Sequence, residues 1–371
     1  TTGASVIKDV STMPKGLLLY RSFTQWVGGL GFAVFIILFL KTMRNGANNL
    51  FNAEFNSIEK EKDSPHIRNT VYKIFTIYSL LTLFCFLLLL RGDMNWFEAL
   101  CHSFSTISTG GFSVSNGNIG SYSTYSQYVI ILFMFLSGIS YFLFLFSFKG
   151  IWKRLFKDEQ LKFYVFLIFF FTFFIFFFEL YFKNYDFFSA IRISLFYVVS
   201  IVSSTGFDLQ VNSLGMLPTI IFIFLMFVGG CSASSSTGLK IVRALVLIRY
   251  IPVSLKRIFH PRAIIPVRYN GKALRDESVR LIFGFFFLFL LIFLAGAFSF
   301  SVMGNGFIIS LSLSAASISN MGPIMGSIAE GFSYGDLNIV SKYILMVLML
   351  IGRLEIYAFF ALFSKSVWGR S

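Results

Sequence analysis

The 371-residue sequence predicts an all-α, multi-pass membrane protein. Four pseudo-repeated units surround one axis, each a span, a half-helix, a kink and a returning span, with the first unit incomplete. Three observations carry that expectation. The composition is 56% hydrophobic and 19% aromatic, with 51 Phe, 13% charge and a mean hydropathy of +0.76, far more apolar than a soluble domain. A Gly-bearing kink recurs four times, as Thr1-Thr2-Gly3-Ala4-Ser5, Ser108-Thr109-Gly110-Gly111-Phe112, Ser204-Thr205-Gly206-Phe207-Asp208 and Ser319-Asn320-Met321-Gly322-Pro323. Counted between Gly3, Gly110, Gly206 and Gly322, the spacing is 107, 96 and 116 residues, the length of a structural unit.

The third observation is where the charge lies. Lys and Arg number six in 41–73, five in 149–162, ten in 240–280 and two in 365–371, so 23 of 31 occupy alternate connections. That is the positive-inside pattern, which puts those connections in the cytoplasm and the kinks near the outer face. A net charge of +14 could otherwise suggest nucleic acid, but no basic run is interleaved with stacking aromatics outside the apolar spans, and no nucleic-acid partner is expected. Cys85, Cys101 and Cys231 lie far apart without a CxxC pair, and His66, His102 and His260 do not join them, so no disulfide framework or zinc site is readable. A Thr at position one, with no upstream apolar segment before the first kink, reads as a chain lacking its start.

Each element follows in order. Phe23–Leu40 is long enough to span, since a crossing helix needs about 20 residues, and Lys41 and Arg44 mark its cytoplasmic end. Asn45–Lys73 mixes both charge signs and reads as a loop or surface helix. Ile74–Leu90 is the next span, and Trp96–Ile107, with Glu98, His102, Ser103 and Ser105, is too short and polar to cross and fits a re-entrant half-helix. Tyr125–Phe148 returns. The third unit reads Phe163–Phe182, half-helix Phe187–Ser203, kink, and a span from Leu217; the fourth reads Leu281–Met303, Gly306–Ser319, kink, and Ile339–Phe363. The units are bounded at 1–73, 74–162, 163–280 and 281–371.

Non-helical backbone at membrane depth is tolerated only where it lines water or is buried in protein. Four kinks satisfy that condition together if they turn carbonyls toward a shared axis, where a desolvated cation replaces the missing donors. Glycine permits the positive φ this requires, and the half-helices aim their negative C-terminal ends at the same place. Close helix packing is the bland reading of any single Gly, but it does not account for four kinks in the same context.

These motifs resemble the TrkH/KtrB/HKT superfamily of potassium transporters, in which one chain supplies four non-identical copies of the potassium-channel pore unit. Arg21-Ser22-Phe23-Thr24-Gln25-Trp26-Val27-Gly28-Gly29-Leu30-Gly31, Gly229-Gly230-Cys231 with the polar run to Gly238, and Gly352-Arg353-Leu354-Glu355 extend the resemblance over nearly the whole chain, closest to the TrkH branch. It implies a selectivity filter that binds potassium at Thr1, Thr2, Gly3, Ala4, Thr109, Gly110, Gly111, Thr205, Gly206, Phe207, Asn320, Met321 and Gly322. It also implies a gate of Gly229, Gly230, Cys231, Ser232, Ser234, Ser235, Ser236 and Gly238 together with Arg353. Gly at the key position of all four filters implies preference for potassium, whereas Ser in the first admits sodium.

The resemblance further implies a homodimer in the cytoplasmic (inner) membrane, a cytoplasmic TrkA-like nucleotide-binding regulator, and potassium as transported ion with no cofactor. The gate loop, rich in Ser and poorer in Gly than the family pattern, could also be a passive helix break. Arg353 stands about 21 Å into the last apolar run, where a charge needs a role, a local pair with Glu355 or carbonyl groups, or a route to snorkel to the inner face. Asp208, after the third filter, could concentrate cations or cap a turn. A sodium-translocating relative is the alternative within the class. A membrane-embedded enzyme would need paired acids or haem-ligand histidines inside the spans.

Overall fold

Apolar runs of this length become helices because a helix alone satisfies its own backbone groups in hydrocarbon. The computed structural model describes residues 1–7, 9–42, 67–148, 152–209, 215–322, 333–361 and 363. Most of the expected Asn45–Lys73 connection, Pro323 of the fourth kink and the basic stretch 365–371 lie outside the described residues. The helices are α1 (Lys15–Thr42), α2 (Ile67–Leu90), α3 (Trp96–Ile107), α4 (Thr124–Ser137), α5 (Tyr141–Phe148), α6 (Trp152–Lys157) and α7 (Glu159–Phe182), followed by α8 (Phe187–Val202), α9 (Met216–Val228), α10 (Ile241–Phe259), α11 (Asp276–Val302), α12 (Phe307–Ile318), α13 (Ile339–Arg353) and α14 (Ile356–Ala361). A two-residue hairpin, β1 (Arg268–Tyr269) with β2 (Lys272–Ala273), turns at Asn270-Gly271 and caps the start of α7, where Asn270 Oδ1 accepts from the Glu159 amide at 3.0 Å.

The order span, half-helix, kink, span recurs in the second, third and fourth units. The half-helices α3, α8 and α12 each pack on the span before them, α2, α7 and α11. Val71–Leu90, Glu159–Phe182 and Asp276–Val302 are long and apolar enough to cross a membrane, and much of their surface, such as Phe169, Phe173, Phe287 and Phe298, is exposed as lipid contact demands. Most of the buried sides gather in two large clusters among the described residues. One takes Tyr78, Cys85, Ile107, Phe196 and Phe222 from units two and three, the other Phe285, Phe289, Phe300, Leu313 and Leu348 from unit four.

Two expected spans are broken. Tyr125–Phe148 is not one helix: α4 and α5 meet at 93° across Gly138–Ser140. The freed backbone groups there are taken up by the Gly229–Gly238 segment, with the Cys231 amide donating to Gly138 O at 3.0 Å and the Tyr141 amide to Ala233 O at 3.0 Å. Ile339–Phe363 also breaks, at Leu354-Glu355, where Glu355 adopts φ 60° between α13 and α14. Neither break carries a Pro, so hydropathy alone ran through both.

The half-helix α3 begins with a capping box: Asn95 Oδ1 accepts from the Phe97 and Glu98 amides at 3.1 and 3.0 Å, and Glu98 Oε2 accepts from the Asn95 amide at 3.2 Å. Asp93, two residues earlier, accepts from Ser123 N, Ser123 Oγ and Ser126 Oγ at 2.7, 2.7 and 2.6 Å, tying this loop to the start of α4. Partial burial alone would raise its pKa, but the bonds from Ser126 and Ser123 prevail and hold the carboxyl below its ordinary value. A depressed folded pKa contributes stability above the unfolded value of about 3.9 and loses it as pH falls through the folded one. Asp93→Asn should therefore flatten the acid limb of a melting-temperature series between roughly pH 5 and 3.

Candidate functional site

Each half-helix ends in the same way. Beyond the C-caps Ser108, Ser203 and Ser319 come Thr109, Ser204 and Asn320 in the left-handed region, at φ 53°, 59° and 51°. The next amides, of Gly110, Thr205 and Met321, reach back to Ser105, Ser200 and Ala316 carbonyls at 2.8, 2.9 and 2.9 Å. This is a Schellman closure built on non-Gly residues, which carry strain that glycine would not.

The glycine of positive φ then follows: Gly111 (72°), Gly206 (79°) and Gly322 (82°), matched by Gly3 (78°) in the first copy. Counting from the helix ends corrects the register. Gly111, not Gly110, is equivalent to Gly3, Gly206 and Gly322, and Gly110 stands where the other copies have Thr2, Thr205 and Met321. The Ser-Thr-Gly string in copies two and three aligned one residue out of step, because copy two leaves its helix at Ser108 and copy three at Ser203.

The four kinks abut one another at three backbone seams of a shared ring. A methyl built on Gly3 would stand 2.5 Å from Gly110 O; one on Gly111 would collide with Thr205 O, and one on Gly322 with Thr2 O. Filter one thus abuts two, two abuts three and four abuts one, with the Gly110, Thr205 and Thr2 carbonyls packed against the glycines of the neighbouring copies. Thr2 Oγ1 donates to Asn320 Oδ1 at 2.5 Å across the seam between copies one and four. The outgoing strands are held by Arg21, whose guanidinium lies 4.1 Å from the Phe112 ring centroid and donates to Ser5 Oγ at 3.2 Å, by Ser200 Oγ donating to Phe207 O at 2.8 Å, and by Tyr334 donating to Gly322 O.

Asp208 accepts from Tyr197 at 2.5 Å, tying the third outgoing strand back to its own half-helix. His102, fully buried in α3, has its Nε2 3.1 Å from Ser113 Oγ, and Glu179 is buried on α7 with both carboxylate oxygens lacking a hydrogen-bond partner among the described residues.

Gly229–Gly238 lies beneath this ring, between α9 and α10. Its ends are pinned together: Gly229 has φ 67° with its Cα against the Thr237 carbonyl, Leu239 donates to Phe227 O and Ile241 to Gly230 O, both at 3.0 Å. The Ser-rich composition has a physical reason. Helix C-termini leave carbonyls unsatisfied, and the loop supplies donors to them: Ser235 Oγ to Ile107 O at 3.0 Å and Thr237 Oγ1 to Ser319 O, while Ser204 Oγ donates to Thr237 O at 3.2 Å. Tyr141 and Ser235 share a bond of 2.8 Å. Ser232, Ser234, Ser235 and Ser236 are all buried.

Arg353 ends α13 beside that loop, donating to Ser235 O at 3.3 Å and to Gly28 O of α1 at 2.9 Å. Glu355 is not its partner: that carboxylate accepts from Lys240 at 2.8 Å and Arg243 at 3.0 Å. The loop thus joins the second unit through Tyr141 and the fourth through Arg353, and Arg353 carries the link on to Gly28 of the first. Sequence reasoning missed Ser204, Thr237 and Tyr141 as members of this site. Ser204 and Thr237 were visible as hydroxyl residues inside the motifs, whereas Tyr141 carries no local signal.

A family model described as TrkH, a cation transport protein, matches residues 1–369. The chain belongs to the TrkH family. It is 32% identical over 375 residues to the Trk system potassium uptake protein TrkH of Halomonas elongata, covering 99% of this chain and 77% of that one. With TrkG of Escherichia coli, another Trk system potassium uptake protein, it shares 33% over 373 residues, 99% of this chain and 76% of that one. The crystal structure of the potassium transporter TrkH from Vibrio parahaemolyticus superposes with a TM-score of 0.88 at 30% identity, over 99% of this chain and 76% of that one. This TrkH-family chain thus has the multi-pass, pseudo-repeated pore fold that the sequence predicts. Its relatives are transporters, and the membrane-enzyme alternative falls with that.

Proposed function

We propose that this chain takes up potassium across the cytoplasmic membrane through the ring of four kinks. The observation that carries the reading is that ring: carbonyls of Thr2, Gly110 and Thr205, each one residue before a glycine of positive φ, packed edge to edge around one axis. Carbonyl rings of this kind replace a potassium ion's hydration shell, and the C-termini of α3, α8 and α12 add negative potential at the same place. Within this reading Thr1, Ala4, Thr109, Phe207, Asn320 and Met321 complete the ion path. The fourth filter, with Asn320 and Met321 where copies two and three have hydroxyl residues or glycine and with Gly322 O bonded by Tyr334, contributes a less regular site.

The Gly229–Gly238 loop with Arg353 gates passage. Its hydroxyl bonds to the half-helix ends and the Arg353 bridge to Gly28 support a closed position that can be released. The passive-break alternative has less support, since a mere break would not need hydroxyl donors to the half-helix ends of two other units. The four units run 1–73, 74–162, 163–280 and 281–371, with the basic connections cytoplasmic by the charge bias. Homodimerisation and a TrkA-like nucleotide-binding regulator belong to the same reading, supported by the resemblance and by the Trk-system names of the relatives.

The deciding experiment is rubidium or potassium uptake into proteoliposomes with sodium as competitor. Potassium-selective flux is expected. Sodium flux exceeding potassium would favour the sodium-translocating alternative, and no cation flux from a folded, monodisperse preparation would sink the pore reading.

A further inference from the structure

The second filter is built differently from the other three, and the difference points to a residue outside the kinks. Where copies one, three and four carry the side chains of Thr2, Thr205 and Met321, copy two has Gly110. Unlike Gly111, Gly110 is not in the left-handed region, so its backbone would accept a side chain. Space is what excludes one. A methyl on Gly110 would overlap Cδ of Gln25, 2.5 Å from its Oε1 and 2.8 Å from its Nε2.

Gln25 comes from α1, in the first unit, and is 3% exposed. Its Nε2 donates to Gly110 O at 2.7 Å and its Oε1 accepts from the Phe112 amide at 3.4 Å, so one amide straddles both sides of Gly111. A carbonyl has two lone pairs, so the bond from Gln25 fixes the direction of Gly110 O while leaving a second pair for an ion. In copies one and three the side chain at this position makes a bond of its own, Thr2 to Asn320 of copy four at 2.5 Å and Thr205 with Ser203 of its own copy at 2.7 Å.

We propose that Gln25 is a positioning residue for ion selectivity: its amide occupies the side-chain place that Gly110 leaves open and aims the second filter's carbonyl at the shared ring. This rests on the potassium-pore reading above. Gly110 O is also the atom against which Gly3 packs, so a loosened second filter would be felt by the first.

The test compares Gln25→Ala, Gln25→Glu, Gly110→Thr and the double variant Gln25→Ala/Gly110→Thr in the intact transporter. Readouts are rubidium influx against sodium competition, and thermal stabilisation by potassium chloride relative to sodium chloride. Gln25→Ala and Gln25→Glu, the latter keeping size but losing the donor, should each cut the potassium-over-sodium preference about tenfold, the scale of one buried hydrogen bond. Gly110→Thr alone should lose flux through the clash, and the double variant should regain preference over both single variants by supplying the side chain that copies one and three possess.

Preference unchanged in monodisperse Gln25→Ala or Gln25→Glu would overturn the proposal, as would a double variant no better than the worse single. Failure of Gln25→Glu to fold would assign the residue to assembly alone and overturn it too. A wild-type protein with no cation preference would instead defeat the pore reading, so the two failures are distinguishable.

Discussion

Gly3→Ser is expected to abolish potassium preference and to reduce rubidium influx about tenfold or more, the largest effect of any single filter substitution. Two independent costs converge at this position. A side chain at φ 78° is strained by about 1–3 kcal/mol, and the new Cβ would stand 2.5 Å from Gly110 O, far inside contact distance. Neither can relax alone, because Gly110 O is itself held by Gln25 and because Thr2, the preceding residue, is tied to Asn320. The ring must open at the seam between copies one and two, which removes the fit to a dehydrated potassium ion more than to bulk cation leakage. Sodium competition measured beside rubidium influx reads this directly. A Gly3→Ser transporter with wild-type flux and preference would show that the ring is packing and not filter.

Arg353→Ala is expected to act in the opposite direction, raising cation leak about tenfold in the absence of any regulator. The guanidinium joins Ser235 of the loop to Gly28 of α1, so its removal deletes the link between the third, fourth and first units. On the proposed pore reading it also removes a positive charge next to the cation path, where low dielectric magnifies repulsion. Each lost bond is worth about 1 kcal/mol net, enough to shift a balanced loop equilibrium by an order of magnitude. Arg353→Lys keeps the charge but cannot reach two carbonyls in a fork, so its leak should fall between wild type and Arg353→Ala. Unchanged leak in both variants, in protein that still transports, would remove Arg353 and the loop contact from gating.

The half-helices were legible because their ends are written locally. Asn95 with Glu98 caps α3, and each of α3, α8 and α12 stops within a residue of the sequence reading, since polar caps and a following αL residue are short-range features. The spans were legible from hydropathy for a different reason: hydrocarbon imposes a length on any helix crossing it. Where tertiary contacts replaced local signals the reading slipped. The α4–α5 break survives because Cys231 and Ala233, more than ninety residues away, satisfy its backbone, and no pattern within Tyr125–Phe148 encodes that.

The sequence by itself determined a membrane protein of four kinked units, because composition and period are properties of the chain. Only the tertiary structure decided which glycine of the second copy belongs to the ring, that Glu355 answers Lys240 and Arg243 rather than Arg353, and that the Ser-rich loop hangs from three half-helices. The reason is common to all three. Each depends on where a helix end or side chain arrives in space, to within an ångström or two, and that is set by the packing of units far apart in sequence.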